Sequence, residues 1–394
     1  MTERPQDNRL VYLLPRYDAG SPEHIFHTYG FLRKLSKRMN LEVLVEQVTG
    51  DLPGELSARA LCVRFPPLRF CEEFLRFLAA RLKGVRIFYV HYSYTGAIAA
   101  SLITRLLGGT TYYWNCGMYE MFKPSPGAGL RETLRYFWNR LLLETSVRWC
   151  NHLVTGTPRM AAYYAEHAGI RKDTIQVLPN FVDLDRFRGI SRREARARLR
   201  LDPDRKIVLF LHRVAPRKGA HFLPDILRAL ARETGPLTLV VAGDGPYLPE
   251  LQRRMREEGL ESMVDYRHWV PNRDAPLYFR AVDLYIMPSV EEGFPRVLLE
   301  SMAAGCPFVA FAVGGVRDIL SADQAECAVN PEDVTAFSAL CVQTLGNPAL
   351  LAAWRAAGEK QVARFAEERV LDAFIRMTAG QPVAENFFIG EKLP

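Results

Sequence analysis

Cysteine is scarce in this chain: 7 of 394 residues, with no two spaced as Cys-x-x-Cys. An odd number without such a pair argues against a disulfide framework and against a cysteine-built zinc site. It fits a reducing compartment. No apolar run approaches the roughly 18 residues a membrane span needs. The opening Met1–Arg9 is polar with no apolar core behind it, so the expectation is a cytoplasmic protein without a signal peptide. Neither half carries Gly-x-Gly-x-x-Gly after its first strand, which counts against a dinucleotide oxidoreductase. No nucleic-acid-binding module is recognisable. There is no low-complexity segment and no short-period repeat. Hydrophobic residues at 48% and charged residues at 24% exclude wholesale disorder and the fibrous classes.

What is present is length, charge asymmetry and alternation. At roughly 100–200 residues per domain, the length implies two or three domains. Residues 1–200 hold 30 Lys/Arg against 18 Asp/Glu, a net +12; the remainder holds 21 against 26, a net −5. Such asymmetry suggests that one half faces something acidic. Short apolar runs such as Arg9–Leu14, Leu41–Val45, Arg86–Val90 and Thr110–Trp114 alternate with helical stretches, the signature of a parallel sheet. The charge-dense stretch Arg188–Arg205 interrupts the pattern, which restarts at Lys206–Leu211. Two doubly wound domains are therefore expected. In such folds ligands sit beyond the carboxyl ends of the strands, and with two facing domains the cleft is the natural site.

Three segments of the second half carry chemistry. Pro288–Pro307 reads as a strand end, a tight turn and a helix, with Pro295 in its first turn and Gly305 just past its end. Its start offers free N–H groups and partial positive charge, a ready anion site. Glu292 precedes the helix and Glu300 lies within it, where a glutamate could accept two ribose hydroxyls. Leu211–Ala220 follows a strand and supplies Arg213, Arg217 and Lys218, cations suited to a diphosphate. Val241–Pro246 is a glycine-rich turn after another strand.

In this order and spacing, the three resemble the nucleotide-sugar half of glycosyltransferase family 4 (group 1), the retaining GT-B enzymes. Pro288-Ser-x-x-Glu292-Gly-Phe with Leu299-Glu300-Ser-Met-Ala-x-Gly-x-Pro307 looks like that family's E-x7-E region; Val177–Phe187 and Val313–Leu320 look like its neighbouring elements. The likeness is good over roughly residues 150–375 and lies mainly in layout before that. It implies an α/β GT-B fold, two Rossmann-like domains facing across a cleft: residues 1–187 for the acceptor, 188–370 for the nucleotide-sugar donor, and 371–394 as a C-terminal helix and tail packing back on the first domain. It implies that Arg213 and Lys218 bind the donor diphosphate, that Glu300 holds the ribose, and that Glu292 with the backbone of Gly293 and Phe294 contacts the transferred sugar. Arg213, Lys218 and Glu292 are the catalytic candidates. Arg267–Val270, including Trp269 and Val270, would lie along the base. The chain departs from the family in having Pro295 where a second glycine is usual.

In the first half, Gly20 is the candidate for close backbone approach to the diphosphate. Where the family often places a histidine near the sugar, this chain has Asn115 and Cys116, with His91 as the nearest alternative. Leu130–Trp149 has helical apolar spacing decorated by Arg131, Arg135, Arg140 and Arg148; it reads as a core-packing helix or as one lying on an anionic membrane surface. Asp183-x-Asp185 and Asp202-x-Asp204 are not read as metal sites, because Arg213, Lys218 and the helix start can neutralise a leaving diphosphate. The expected activity is metal- and cofactor-independent transfer of a hexose-type sugar, with retention, from a UDP- or GDP-linked donor to an acceptor hydroxyl of a glycan or lipid-linked molecule. Peripheral membrane association is part of that expectation; nucleic acid is not. The alternatives are an epimerase, a phosphorylase and a non-catalytic paralogue that only binds donor or partner.

Overall fold

The computed structural model describes residues 9–19, 26–63, 65–117, 129–381 and 387–388. The chain divides into two compact units, residues 1–178 with 371–384 and residues 179–370 with 385–394.

The first unit is built on a seven-stranded sheet. Its strands run, edge to edge, Ala58–Ala60, Asn40–Val45, Arg9–Leu14, Ile87–His91, Thr110–Trp114, His152–Thr155 and Ile175–Val177, and every pair is parallel. Leu10–Leu14 are buried throughout, as expected of a strand covered by helices on both faces. Sequence order reverses direction between Arg9–Leu14 and Ile87–His91, the switch point of the sheet.

The second unit has a six-stranded parallel sheet in the order Val264–His268, Leu237–Ala242, Lys206–Leu211, Leu284–Met287, Phe308–Phe311, Ala328–Val329. Its switch point falls between Lys206–Leu211 and Leu284–Met287, paired Val208 to Leu284. The loops leaving those two strands carry Arg213–Lys218 and Glu292.

Two boundaries differ from the sequence expectation. Residues 179–187 group with the second unit rather than the first. Their bonds explain it: Val182 N–H donates to Phe365 O, Asn180 Nδ2 to Phe294 O and Arg186 to Asn272 O. The charged stretch 188–205, which breaks the alternation in the sequence, is tied into the second unit. Ser191 caps the helix Arg192–Leu199, and Arg196, 5% exposed, reaches Asp283 Oδ2 at 2.8 Å. Only residues 371–384 of the C-terminal segment group with the first unit. There Phe374 packs on Phe31 and Tyr89, and Tyr112 donates to Met377 O. Phe387 and Phe388 group with the second unit, Phe388 lying 5.9 Å from Phe365.

Candidate functional site

The site forms where backbone loops interlock at the second switch point. Pro216–Lys218 make one 3-10 turn, stopped by Gly219 at φ +74. A Cβ there would stand 1.8 Å from Pro288 O, so only glycine lets the loop close on the neighbouring strand end. Val290 N–H then donates to Arg217 O at 3.1 Å, tying the two loops together. Gly314, at φ +51, does the same from the next strand: its Cβ would meet Glu292 O at 1.6 Å. Gly315 N–H donates to Gly293 O.

This closure places Lys218 Nζ 2.5 Å from Glu292 Oε1. Glu292 is 7% exposed, and the Lys218 side chain 13%. His212 Nε2 lies 3.9 Å from the same oxygen, beyond hydrogen-bond reach, and is buried without a partner. Burial first, then the charges of Lys218 and Arg217, hold its imidazole well below the usual range, so it is neutral. Ser289 Oγ and Tyr285 OH are likewise buried and unpartnered. Among the described residues the N–H groups of Gly293 and Phe294 donate to nothing. Buried polar groups are rarely left so, and their concentration here makes this the candidate ligand site.

Helix Arg296–Ala303 follows, its cap at Pro295 and its end closed by Gly305 at φ +63. Pro295 thus precedes the helix instead of occupying its first turn. The N–H groups of the first turn have no intrahelical acceptor and add partial positive charge beside the unpaired amides. Glu300 is 3% exposed; burial raises its carboxyl pKa, against the opposing pull of Arg296 and Arg186. Arg213 is exposed beside this cluster in sequence, at the same strand end. The arrangement presents cations and free amides to an anion, with a carboxylate adjacent.

The structure does not bring every expected residue to this place. Trp269 and Val270 follow the edge strand Val264–His268, two strands from Lys206–Leu211. Trp269 is 47% exposed, and His268 Nδ1 lies 3.0 Å from Asp244 Oδ1 in the glycine-rich turn. Phe294 points its ring to Phe365 at 6.0 Å, so only its backbone faces the cluster. Gly20 lies outside the described residues. In the first unit Asn115 is structural: Nδ2 donates to Tyr113 OH, and Oδ1 accepts from Gly117 N–H and Tyr164 OH, each at 2.8 Å. Cys116 is buried, and His91 stacks on Trp114 with Nδ1 2.8 Å from Tyr12 OH. The two Asp-x-Asp pairs are local turns: Asp183 Oδ1 accepts from Asp185 N–H, and Asp202 Oδ1 from Asp204 N–H. Sequence reasoning passed over His212 and Asn180. His212 adjoins Arg213 in the basic loop, which was its one available signal; Asn180 acts through tertiary contact alone.

Two doubly wound units, each built on a parallel sheet with a switch point, define a GT-B architecture. The family model for glycosyl transferases group 1 matches residues 191–361, and that for Glycosyltransferase Family 4 matches residues 24–186. The chain belongs to this glycosyltransferase family. It is 28% identical over 229 residues to a 2-deoxystreptamine glucosyltransferase of Streptomyces kanamyceticus, covering 56% of this chain and 59% of that one. It is 32% identical over 192 residues to a GDP-mannose-dependent alpha-(1-6)-phosphatidylinositol monomannoside mannosyltransferase of Mycolicibacterium smegmatis, covering 47% and 50%. The match thus spans little more than half the length of these curated relatives. Among solved structures, Anabaena HepE in complex with UDP superposes with a TM-score of 0.73 at 17% identity, covering 94% of this chain and all of the other. WaaG, a glycosyltransferase involved in lipopolysaccharide biosynthesis, gives 0.70 at 17% identity, with 94% and 100% covered. These likenesses establish the fold.

Proposed function

We propose that the protein transfers a hexose-type sugar, with retention, from a UDP- or GDP-linked donor to an acceptor hydroxyl on a glycan or lipid-linked molecule. The observation that carries this reading is the Lys218–Glu292 pair set beside the unpaired amides of Gly293 and Phe294 at the switch point. Support also comes from relatives described as glucosyl- and mannosyltransferases, and from the UDP bound to the HepE structure.

The donor diphosphate would lie across Lys218 and Arg213, with Glu300 toward the ribose. The bond from the anomeric carbon to the diphosphate oxygen breaks, and a bond to the acceptor oxygen forms on the same face. The acceptor proton passes to the departing diphosphate, so no separate general base is required. Lys218, Arg213 and the helix start stabilise the charge that develops on the leaving group, each contact worth on the order of 3 kcal/mol, without calling on a metal ion.

Isothermal calorimetry against UDP, GDP, ADP, dTDP and their sugar conjugates tests the donor site. Preference for one nucleotide, lost in Glu300→Ala, supports it; silence across the panel refutes it. Nucleoside diphosphate released only when acceptor is present separates a transferase from an epimerase. Donor binding without any turnover would favour the non-catalytic reading.

A further inference from the structure

The first unit exposes apolar surface that the second does not. Of the thirteen large apolar side chains standing exposed among the described residues, twelve belong to the first unit and one, Trp269, to the second. Five of the twelve lie on one helix, Leu130–Trp149: Leu130, Leu134, Phe137, Trp138 and Leu141, each between 55% and 75% exposed. At 100° per residue they fall within an arc of about 100°. The helix's buried side chains, Leu143, Ser146 and Val147, project from the opposite side. Residues 130–142 bury no side chain fully, with Thr133, Tyr136, Asn139 and Leu142 half-buried against the unit, so the apolar stripe forms an outward-facing ridge.

Other helices of the same layer also expose apolar side chains. Helix Pro66–Leu82 packs on Tyr94–Leu107, which packs on Leu130–Trp149, so the three form one layer over the sheet. In that layer Leu68, Leu75 and Leu82 recur every seven residues and are exposed, as is Leu106. Arginine edges the ridge. Arg131 and Arg135 flank Trp138 on one side; Arg140, paired to Glu144 at 2.8 Å, flanks Phe137 on the other. The half of the chain that holds this layer carries the net +12.

We infer that this ridge is a docking surface for an anionic lipid bilayer. Leucine, phenylalanine and tryptophan on an exposed face, edged by arginines whose stems can lie along the apolar boundary while their guanidinium groups reach phosphates, is the chemistry of an interfacial helix. Such a face seats about 5–10 Å into the headgroup boundary, and basic residues near an anionic leaflet add attraction that salt screens. A second copy of the chain fits less well. Self-pairing would gather Arg131, Arg135 and Arg140 of both copies into one interface, with only Glu132 and Glu144 on the helix to offset them. The inference does not depend on the donor site, and its test can fail independently.

The test is co-sedimentation of the full chain with phosphatidylcholine vesicles and with vesicles containing about one-third phosphatidylglycerol. Binding to the anionic vesicles, weakened by salt and much lower on neutral ones, is expected. The double variants F137S/W138S and R131E/R135E should each reduce partitioning at least about tenfold. Both change only exposed side chains, so unfolding temperature and nucleotide binding should be unaltered. Failure of the wild type to sediment with either vesicle, or unreduced binding by both variants, would overturn the inference. A wild-type dimer in size-exclusion chromatography that F137S/W138S renders monomeric, with vesicle partitioning unchanged, would assign the ridge to self-association instead.

Discussion

Lys218 Nζ and Glu292 Oε1 stand 2.5 Å apart although 74 residues separate them in sequence. The contact joins the loops leaving the two strands at the switch point of the second sheet. Under the proposed function, Glu292 occupies the lysine that the donor diphosphate would use, so the carboxylate and an incoming phosphate would compete for one cation.

That competition separates the two residues experimentally. Lys218→Ala should lower turnover at least about tenfold, roughly 1.4 kcal/mol of lost transition-state stabilisation. Glu292→Gln removes the competing charge, so calorimetry should show nucleoside diphosphate binding a few-fold tighter while transfer falls. Near-normal turnover in both variants would remove this pair from the mechanism.

Gly314→Ala should dismantle the cluster from behind. Its Cβ would lie 1.6 Å from Glu292 O, and the backbone sits at φ +51. Because the clash is with backbone, the loop must move; a loss of about 1–3 kcal/mol is expected. Denaturant unfolding measures the loss, and nucleotide binding should weaken in parallel. Ala at 314 with wild-type affinity would show that the interlock does not hold the site.

Asn115→Ala should be a stability variant, not a donor-site variant. The amide's bonds to Tyr113, Gly117 and Tyr164 are all internal and buried. Their loss should cost about 1–3 kcal/mol, read by chemical denaturation, with nucleotide affinity unchanged. A selective loss of turnover without destabilisation would return Asn115 to the sugar-contact role.

The first unit should weaken as pH rises from about 5 to 8. Glu73 is fully buried, and burial, then the charge of Glu46, raises its pKa to about 8. Glu46 is raised by burial too, while Arg69, Ser93 and Thr95 favour ionisation within the pair. The folded state therefore binds more protons than the unfolded one above the ordinary carboxyl pKa. Stability is complete below that value and declines as pH climbs through the folded pKa, with a slope of at most about 1.4 kcal/mol per pH unit per group. Glu73→Gln should flatten the dependence of unfolding temperature on pH over this window; an unchanged slope would show that Glu73 is ionised in the fold.

Much of this was legible in the sequence because it is local. Runs such as Leu10–Leu14 and Ile207–Phe210 are short and apolar at every position, the pattern of a strand covered on both faces. Glycine at 305 stops the helix, and Arg213 and Lys218 follow a strand directly, so the basic loop had to emerge at a sheet edge. Strand order and long-range pairing left no such mark. Nothing in the stretch Val177–Phe187 reveals that Val182 bonds to residue 365, and so the boundary fell at 178 instead of 187. Arg188–Arg205 reads in the sequence only as a charge-dense break in the alternation; Asp283, far along the chain, turns Arg196 into a buried anchor. Asn115 stood where a sugar contact was expected, and the hydroxyl of Tyr164 commits it elsewhere. The sequence by itself determined the two alternating units, the cations and the carboxylates. The tertiary structure alone decided that Lys218 meets Glu292, that the amides of Gly293 and Phe294 find no acceptor among the described residues, and that the apolar stripe of Leu130–Trp149 faces outward. The physical reason is range: propensity and periodicity act over a few residues, whereas loop closure and helix orientation depend on which distant backbone arrives alongside.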